Sequence, residues 1–175
     1  SACLVGSEMC IRDSSSGVGP DKIIYDPKNG YMYVADYWSD IVSVINPVIN
    51  KVITTISVGN NPDRIIYDPS NGYIYVTNGG CCKVSVINPV TNKVVTTILV
   101  GNNPDCILYD PNNGYIYVAN WKSGTITIIA TPPVIPTQTH SVPSSSTSAT
   151  IPSSSSTTFI GLPLTYVIII ILVAV

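Results

Sequence analysis

The sequence predicts an all-β protein: a partial β-propeller of about three four-stranded blades, the last lacking its outer strand, then a disordered stalk and one C-terminal transmembrane helix. Three observations carry this prediction. A 42-residue unit repeats along most of the chain, a charge-free Ser/Thr/Pro tract follows it, and the last 17 residues are apolar and uncharged.

The repeat decides the fold before anything else. Tyr25-Asp26-Pro27-Lys28-Asn29-Gly30-Tyr31 recurs as Tyr67-Asp68-Pro69-Ser70-Asn71-Gly72-Tyr73 and again as Tyr109-Asp110-Pro111-Asn112-Asn113-Gly114-Tyr115. Between Tyr25–Asp63 and Tyr67–Asp105, 27 of 39 positions are identical, so the units arose by duplication and share one structure. Each reads as four short strands. An apolar strand such as Ile65-Ile66-Tyr67 meets Asp-Pro-x-Asn-Gly, where Pro presets φ and Gly tolerates a positive one. Tyr73-Ile74-Tyr75-Val76 is rich in aromatic and β-branched residues. Val84-Ser85-Val86-Ile87 follows a loop, and Asn88-Pro89-Val90-Thr91-Asn92 turns the chain into Val94–Val100. Four strands per roughly forty residues is a propeller blade. A β-helix needs shorter repeats, and helical repeats do not tolerate so much Pro, Gly and Val/Ile/Thr. The blades are placed at 18–59, 60–101 and 102–130.

In the third unit Thr125-Ile126-Thr127-Ile128-Ile129 runs into Pro132-Pro133. Proline cannot donate to a strand ladder, so the blade is expected to lack its fourth strand. A strand from elsewhere is expected to close the ring, with further blades upstream.

Tyr75-Val76-Thr77-Asn78, with Tyr33-Val34-Ala35-Asp36 and Tyr117-Val118-Ala119-Asn120, resembles the YVTN β-propeller repeat. The Val-x-Val-Ile-Asn, Thr-Asn-Lys-Val and Val-Gly-Asn-Asn-Pro segments fit it too, and the resemblance covers about Val18 to Ala130. It implies a propeller of the kind found in archaeal and bacterial surface-layer or secreted proteins. It implies no activity.

The two ends of the chain are of different character. Residues 1–17 fall outside the repeat; Cys3–Ser14 resembles the translation of a sequencing adapter, and the chain is read as the C-terminal part of a longer protein. Thr131–Thr158 holds nine Ser, seven Thr and five Pro in 28 residues, a composition that buries no core. At about 3.1 Å per residue it would reach on the order of 90 Å as an extended spacer. Ser and Thr beside Pro suit O-glycosylation. No Asn-x-Ser/Thr acceptor occurs in the chain. Phe159–Val175 would span about 25 Å as a helix, slightly short of a bilayer core of about 30 Å. It is expected to anchor the protein in the cell membrane, with the propeller extracellular and the C-terminus cytoplasmic.

The chemistry points to binding rather than catalysis. Charged residues make up 10% of the chain and the net charge is −2, without the basic patch that nucleic acid requires. The single histidine, His140, lies in the stalk, so no triad or His-based metal site can be assembled. No catalytic residue, metal or cofactor is assigned. Asp26, Asp68 and Asp110 read as turn residues, and Asp21, Asp63 and Asp105 likewise as structural residues before the first strands.

Of the twelve differences between the first two units, seven are consecutive, at 35–41, in the loop between the second and third strands. Variation grouped in one loop on one face, with tryptophans in it, suits a recognition surface. The candidate contact residues are Asp36, Tyr37, Trp38, Asp40, Asn78, Cys81, Cys82, Asn120, Trp121 and Lys122. Outside a cell, Cys81 or Cys82 could pair with Cys106 or with each other, or the thiols could stay free; three thiols lack a fourth ligand for a metal. The expected role is surface-layer structure, adhesion, or protein or glycan recognition. The alternative is an extracellular lactonase- or lyase-like propeller enzyme with its active residues in other blades. A redox-associated propeller would need a cofactor motif that this chain lacks.

Overall fold

The computed structural model describes residues 15–130 and the backbone of 170–173. The expectations for residues 1–14, for the stalk and for 159–169 therefore lie outside the described residues.

Three antiparallel four-stranded sheets follow one another. β1 (Pro20–Tyr25), β2 (Met32–Asp36), β3 (Ile41–Asn46) and β4 (Lys51–Ser57) form the first, each paired with the next. β5 (Pro62–Tyr67), β6 (Ile74–Asn78), β7 (Lys83–Asn88) and β8 (Lys93–Leu99) form the second. β9 (Pro104–Asp110), β10 (Tyr115–Asn120) and β11 (Thr125–Ala130) begin the third. The first strands of neighbouring sheets lie against each other while the fourth strands are splayed apart, so the sheets radiate like blades from an axis lined by β1, β5 and β9.

Every Asp-Pro-x-Asn-Gly segment builds the same hairpin. Asp26 Oδ1 accepts from the Lys28 N–H at 2.9 Å, Asp26 O from the Gly30 N–H at 2.9 Å, and Asn29 Oδ1 from the Tyr31 N–H at 2.9 Å. Gly30, Gly72 and Gly114 occupy φ of 76°, 77° and 73°, where a side chain would be strained. Asp26, Asp68 and Asp110 are thus turn residues.

The core lies between blades rather than inside any one. Tyr33, Ala35, Val42, Val44 and Ile56 of the first blade pack against Ile65, Ile74, Val76 and Ile87 of the second. Tyr75, Val84, Val86 and Ile98 on the far side of the second blade pack against Ile107, Ile116, Val118 and Ile129 of the third. Inner strands therefore bury apolar residues on both faces. β4 alternates exposed with partly buried positions up to Ile56, as an outer strand should.

Two expectations are corrected here. The third blade has an outer strand: β12 (Ile170–Val173) pairs antiparallel with β11, with Ile129 opposite Ile170 and Ile126 opposite Val173. An uncovered β11 would present a row of unpaired N–H and C=O groups, and a run rich in β-branched residues is well suited to satisfy them. These four residues, expected within a transmembrane helix, are strand. No helix among the described residues is long and apolar enough to cross a membrane. The second correction concerns residue 17, expected outside the fold. Gly17 packs on the Asp36 side chain as Gly59 does on Asn78 and Gly101 on Asn120, so the repeat begins there.

Candidate recognition face and axial cleft

In each blade the loop after the second strand folds back over the lead into the first strand. The Tyr37 and Trp38 N–H groups donate to Gly19 O and Val18 O at 2.8 and 3.1 Å. Gly79 and Gly80 do the same to Asn61 and Asn60, and Trp121 and Lys122 to Asn103 and Asn102. The loop also holds the next blade: Asp40 Oδ1 accepts from the Asn61 N–H at 2.8 Å, and the Cys82 thiol lies 3.7 Å from Asn102 Oδ1. The loops thereby form one continuous face.

The ten candidate contact residues divide by burial. Trp38 and Trp121 are 71% and 72% exposed, and Asp40 and Lys122 are exposed as well. Tyr37, Cys81 and Cys82 are partly exposed. Asp36, Asn78 and Asn120 are buried, which corrects their assignment as surface contacts. Each instead ties the loop to the third strand. The Ser43 hydroxyl donates to Asp36 Oδ2 at 2.6 Å; Asn78 Nδ2 donates to Ser85 Oγ at 3.0 Å, and Asn120 Nδ2 to Thr127 Oγ1 at 2.9 Å. Asn78 Oδ1 also accepts from the Gly59 N–H at 3.1 Å, fastening the inter-blade linker. The variable loop rests on a buried polar clasp that recurs at the same place in each blade. Cys81, Cys82 and Cys106 are free thiols, so the bridges considered from sequence are not formed.

The sequence reading missed a second feature. Asp21, Asp63 and Asp105, one from each blade, converge at the axis and with Arg64, Tyr37, Trp38, Gly19 and Pro20 line a cleft of about 310 Å³. Arg64 Nη1 lies 2.6 Å from Asp21 Oδ2 and 2.9 Å from Asp63 Oδ1. Burial above all, and then hydrogen bonds to the Asp21 and Asp105 side chains, push the Asp63 carboxyl up to about 7; the Arg64 guanidinium pulls it the other way. Near neutral pH the carboxyls therefore offer both a shared proton and acceptor oxygens. Beside them Trp38 stands edge to face against Tyr37, ring centroids 4.7 Å apart. The one signal in the sequence was an acid repeated at 42-residue spacing directly after the proline that opens each first strand.

Radially stacked antiparallel blades with a polar, aromatic-flanked cleft at the axial end define a β-propeller-like protein. Solved structures bear out that class. The chain is similar to hydrazine synthase from Kuenenia stuttgartiensis (24% identity, TM-score 0.59, covering 72% of this chain and 36% of that one). It is similar to a putative 6-phosphogluconolactonase from Bacteroides fragilis (20%, 0.58, 66% and 36%) and to virginiamycin B lyase from Staphylococcus aureus (19%, 0.54, 63% and 38%). At these identities the likeness concerns the fold. The chain spans less than two fifths of the length of these three structures. No protein-family model matches it, and neither does any curated protein.

Proposed function

We propose that the chain is a non-enzymatic recognition module of a YVTN-type surface propeller, which binds extracellular saccharide or protein groups at the axial cleft. The observation that carries this reading is the placement of exposed Trp38, with Tyr37, beside the Asp21–Arg64–Asp63 network. An exposed aromatic face stacks on the C–H face of a sugar ring or on an apolar side chain. Adjacent carboxyls and a guanidinium pair with hydroxyls, and such aromatic and Arg anchors dominate binding surfaces. Titration of the full chain with neutral oligosaccharides, followed by tryptophan fluorescence, tests it. Saturable quenching that Trp38→Ala abolishes and Trp121→Ala retains supports the reading; no response to any saccharide or to extracellular-matrix peptides sinks it.

The surface location extends this reading. The Ser/Thr/Pro tract suits an extracellular spacer, and the apolar run 159–175 suits a membrane tether once β12 leaves β11. Co-flotation of the full chain with phosphatidylcholine vesicles, lost on truncation after Thr158, is the expected result. Equal flotation of the truncated chain argues against the tether.

A second reading rests on Asp63. A carboxyl poised near 7 in a cleft is suited to general acid–base work, and two of the similar structures carry lactonase and lyase names. Turnover of a sugar lactone or of a cyclic ester, lost in Asp63→Asn, would favour this reading over the binding module.

A further inference from the structure

The first strand of every blade opens on proline and aspartate, followed by a residue that differs from blade to blade. These third residues are Lys22, Arg64 and Cys106, each 42 positions from the next. They occupy one place in the fold. Lys22 lies opposite Ala35 and Cys106 opposite Ala119, while the Arg64 N–H donates to Thr77 Oγ1 at 3.0 Å. Ala35, Thr77 and Ala119 are themselves 42 positions apart.

At this place Arg64 bridges two blades. Its guanidinium reaches back to Asp21 Oδ2 of the preceding blade at 2.6 Å and lies 2.9 Å from Asp63 Oδ1 of its own. One cation so relieves the repulsion between two neighbouring carboxylates. The next boundary sets Asp63 against Asp105, and the residue at the bridging place is Cys106. A thiol side chain ends just beyond Cβ and offers no cation. Among the described residues no Lys or Arg forms an ion pair with Asp105. The bridge across this boundary falls to residue 106 itself, so its lack does not depend on what precedes the first blade or follows the third. Burial first, and then hydrogen bonds to the Asp21 and Asp105 side chains, raise the Asp63 carboxyl to about 7. A shared proton thus does at the second boundary what a guanidinium does at the first.

We propose that the cleft takes an amino sugar, its ammonium seated between Asp63 and Asp105 at the place Arg64 fills one blade earlier, an inference that rests on the binding-module reading and names the class of saccharide bound. An ammonium has three N–H donors and no acceptor, so it serves both carboxyls at once through charge-assisted hydrogen bonds and displaces the shared proton. Tyr37 and Trp38 line the same cleft. Their ring faces attract an organic ammonium and stack on the sugar that carries it. The surroundings suit a bare metal ion less well: among the described residues no three His, Cys, Asp or Glu side chains are grouped to hold one.

The full chain in a mild non-ionic detergent, titrated slightly below neutral pH with tetraglucosamine and with its N-acetylated counterpart, tests this. Acetylation removes the charge and leaves the rest of the sugar, so wild type should bind the amine form about tenfold more tightly. Cys106→Arg supplies the bridge and should erase that preference while binding the N-acetylated chain as wild type does. Cys106→Lys, with the residue of the first blade, replaces it if the arginine variant does not fold. Cys106→Ala adds no charge and should keep the preference. Without ligand, Cys106→Arg should also lower the midpoint of the Asp63 carboxyl, read by carboxyl-carbon NMR. Equal affinity of wild type for both saccharides overturns the ammonium seat and leaves the binding module standing; binding of neither overturns both. The seat is also overturned by a preference that survives C106R, by one that C106A abolishes, by an unchanged Asp63 midpoint in C106R, or by displacement of tetraglucosamine with an equal concentration of calcium.

Discussion

Arg64 Nη1 of the second blade lies 2.6 Å from Asp21 Oδ2 of the first, so one guanidinium crosses the blade boundary and links two of the three axial carboxylates. Both partners are partly solvated, at 34% and 41% side-chain exposure, and such pairs contribute only about 0–1 kcal/mol. Arg64→Gln should therefore barely change the melting temperature. Its effect should appear in Asp63, whose carboxyl loses the one charge holding it down. Carboxyl-carbon NMR should show its midpoint rising above that of wild type; an unchanged or lower midpoint would contradict the geometry.

The raised Asp63 carboxyl also sets a pH dependence. Its ordinary value is about 3.8, so the folded chain binds this proton more tightly. The resulting stabilisation is complete below about pH 4 and lost as pH rises through about 7. Asp63→Asn keeps a hydrogen-bonding side chain of similar shape and removes the titration. Denaturant midpoints measured from pH 4 to 8 should fall with pH more steeply in wild type than in D63N. Parallel curves would show that Asp63 does not titrate in this window.

At the buried clasp, Asp36 differs from Asn78 and Asn120 and leaves its Oδ1 without a hydrogen-bond partner. In the second blade the amide at this place donates to both Ser85 Oγ and Lys83 O. Asp36→Asn should supply those donors to the first blade and stabilise it by about 0.5–1.5 kcal/mol. Thermal melts at pH 7 decide this, and a lower melting point refutes it.

Gly19 has φ of 72°, and a Cβ there would collide with the Trp38 ring. Gly19→Ala should cost about 1–2 kcal/mol from the left-handed backbone alone and displace the indole from the cleft. A shifted tryptophan emission with a lowered melting point is expected. Unchanged emission would mean that Trp38 does not rest on Gly19.

The turns and strands of this protein were legible residue by residue, because their causes are local. Asp26-Pro27-Lys28-Asn29-Gly30 closes its hairpin with its own side chains and a glycine at positive φ, and the alternation of β4 follows from one wet face. The variable loop was legible as well, since Trp38 and Trp121 break an otherwise near-identical repeat. Asp36, Asn78 and Asn120 were misread as contacts because polarity in a loop says nothing of the Ser or Thr beneath it.

The sequence alone determined a repeated four-stranded unit, since periodicity and turn chemistry act within a few residues. Tertiary structure decided what lies far apart along the chain. Radial stacking gathers Asp21, Asp63 and Asp105, each 42 residues from the next, into one cleft where burial and the neighbouring carboxyls raise the Asp63 carboxyl. It also places Ile170–Val173 on the edge of β11. A short run of Ile, Leu and Val satisfies a bilayer or an open sheet edge equally well, and only the presence of that edge chooses between them.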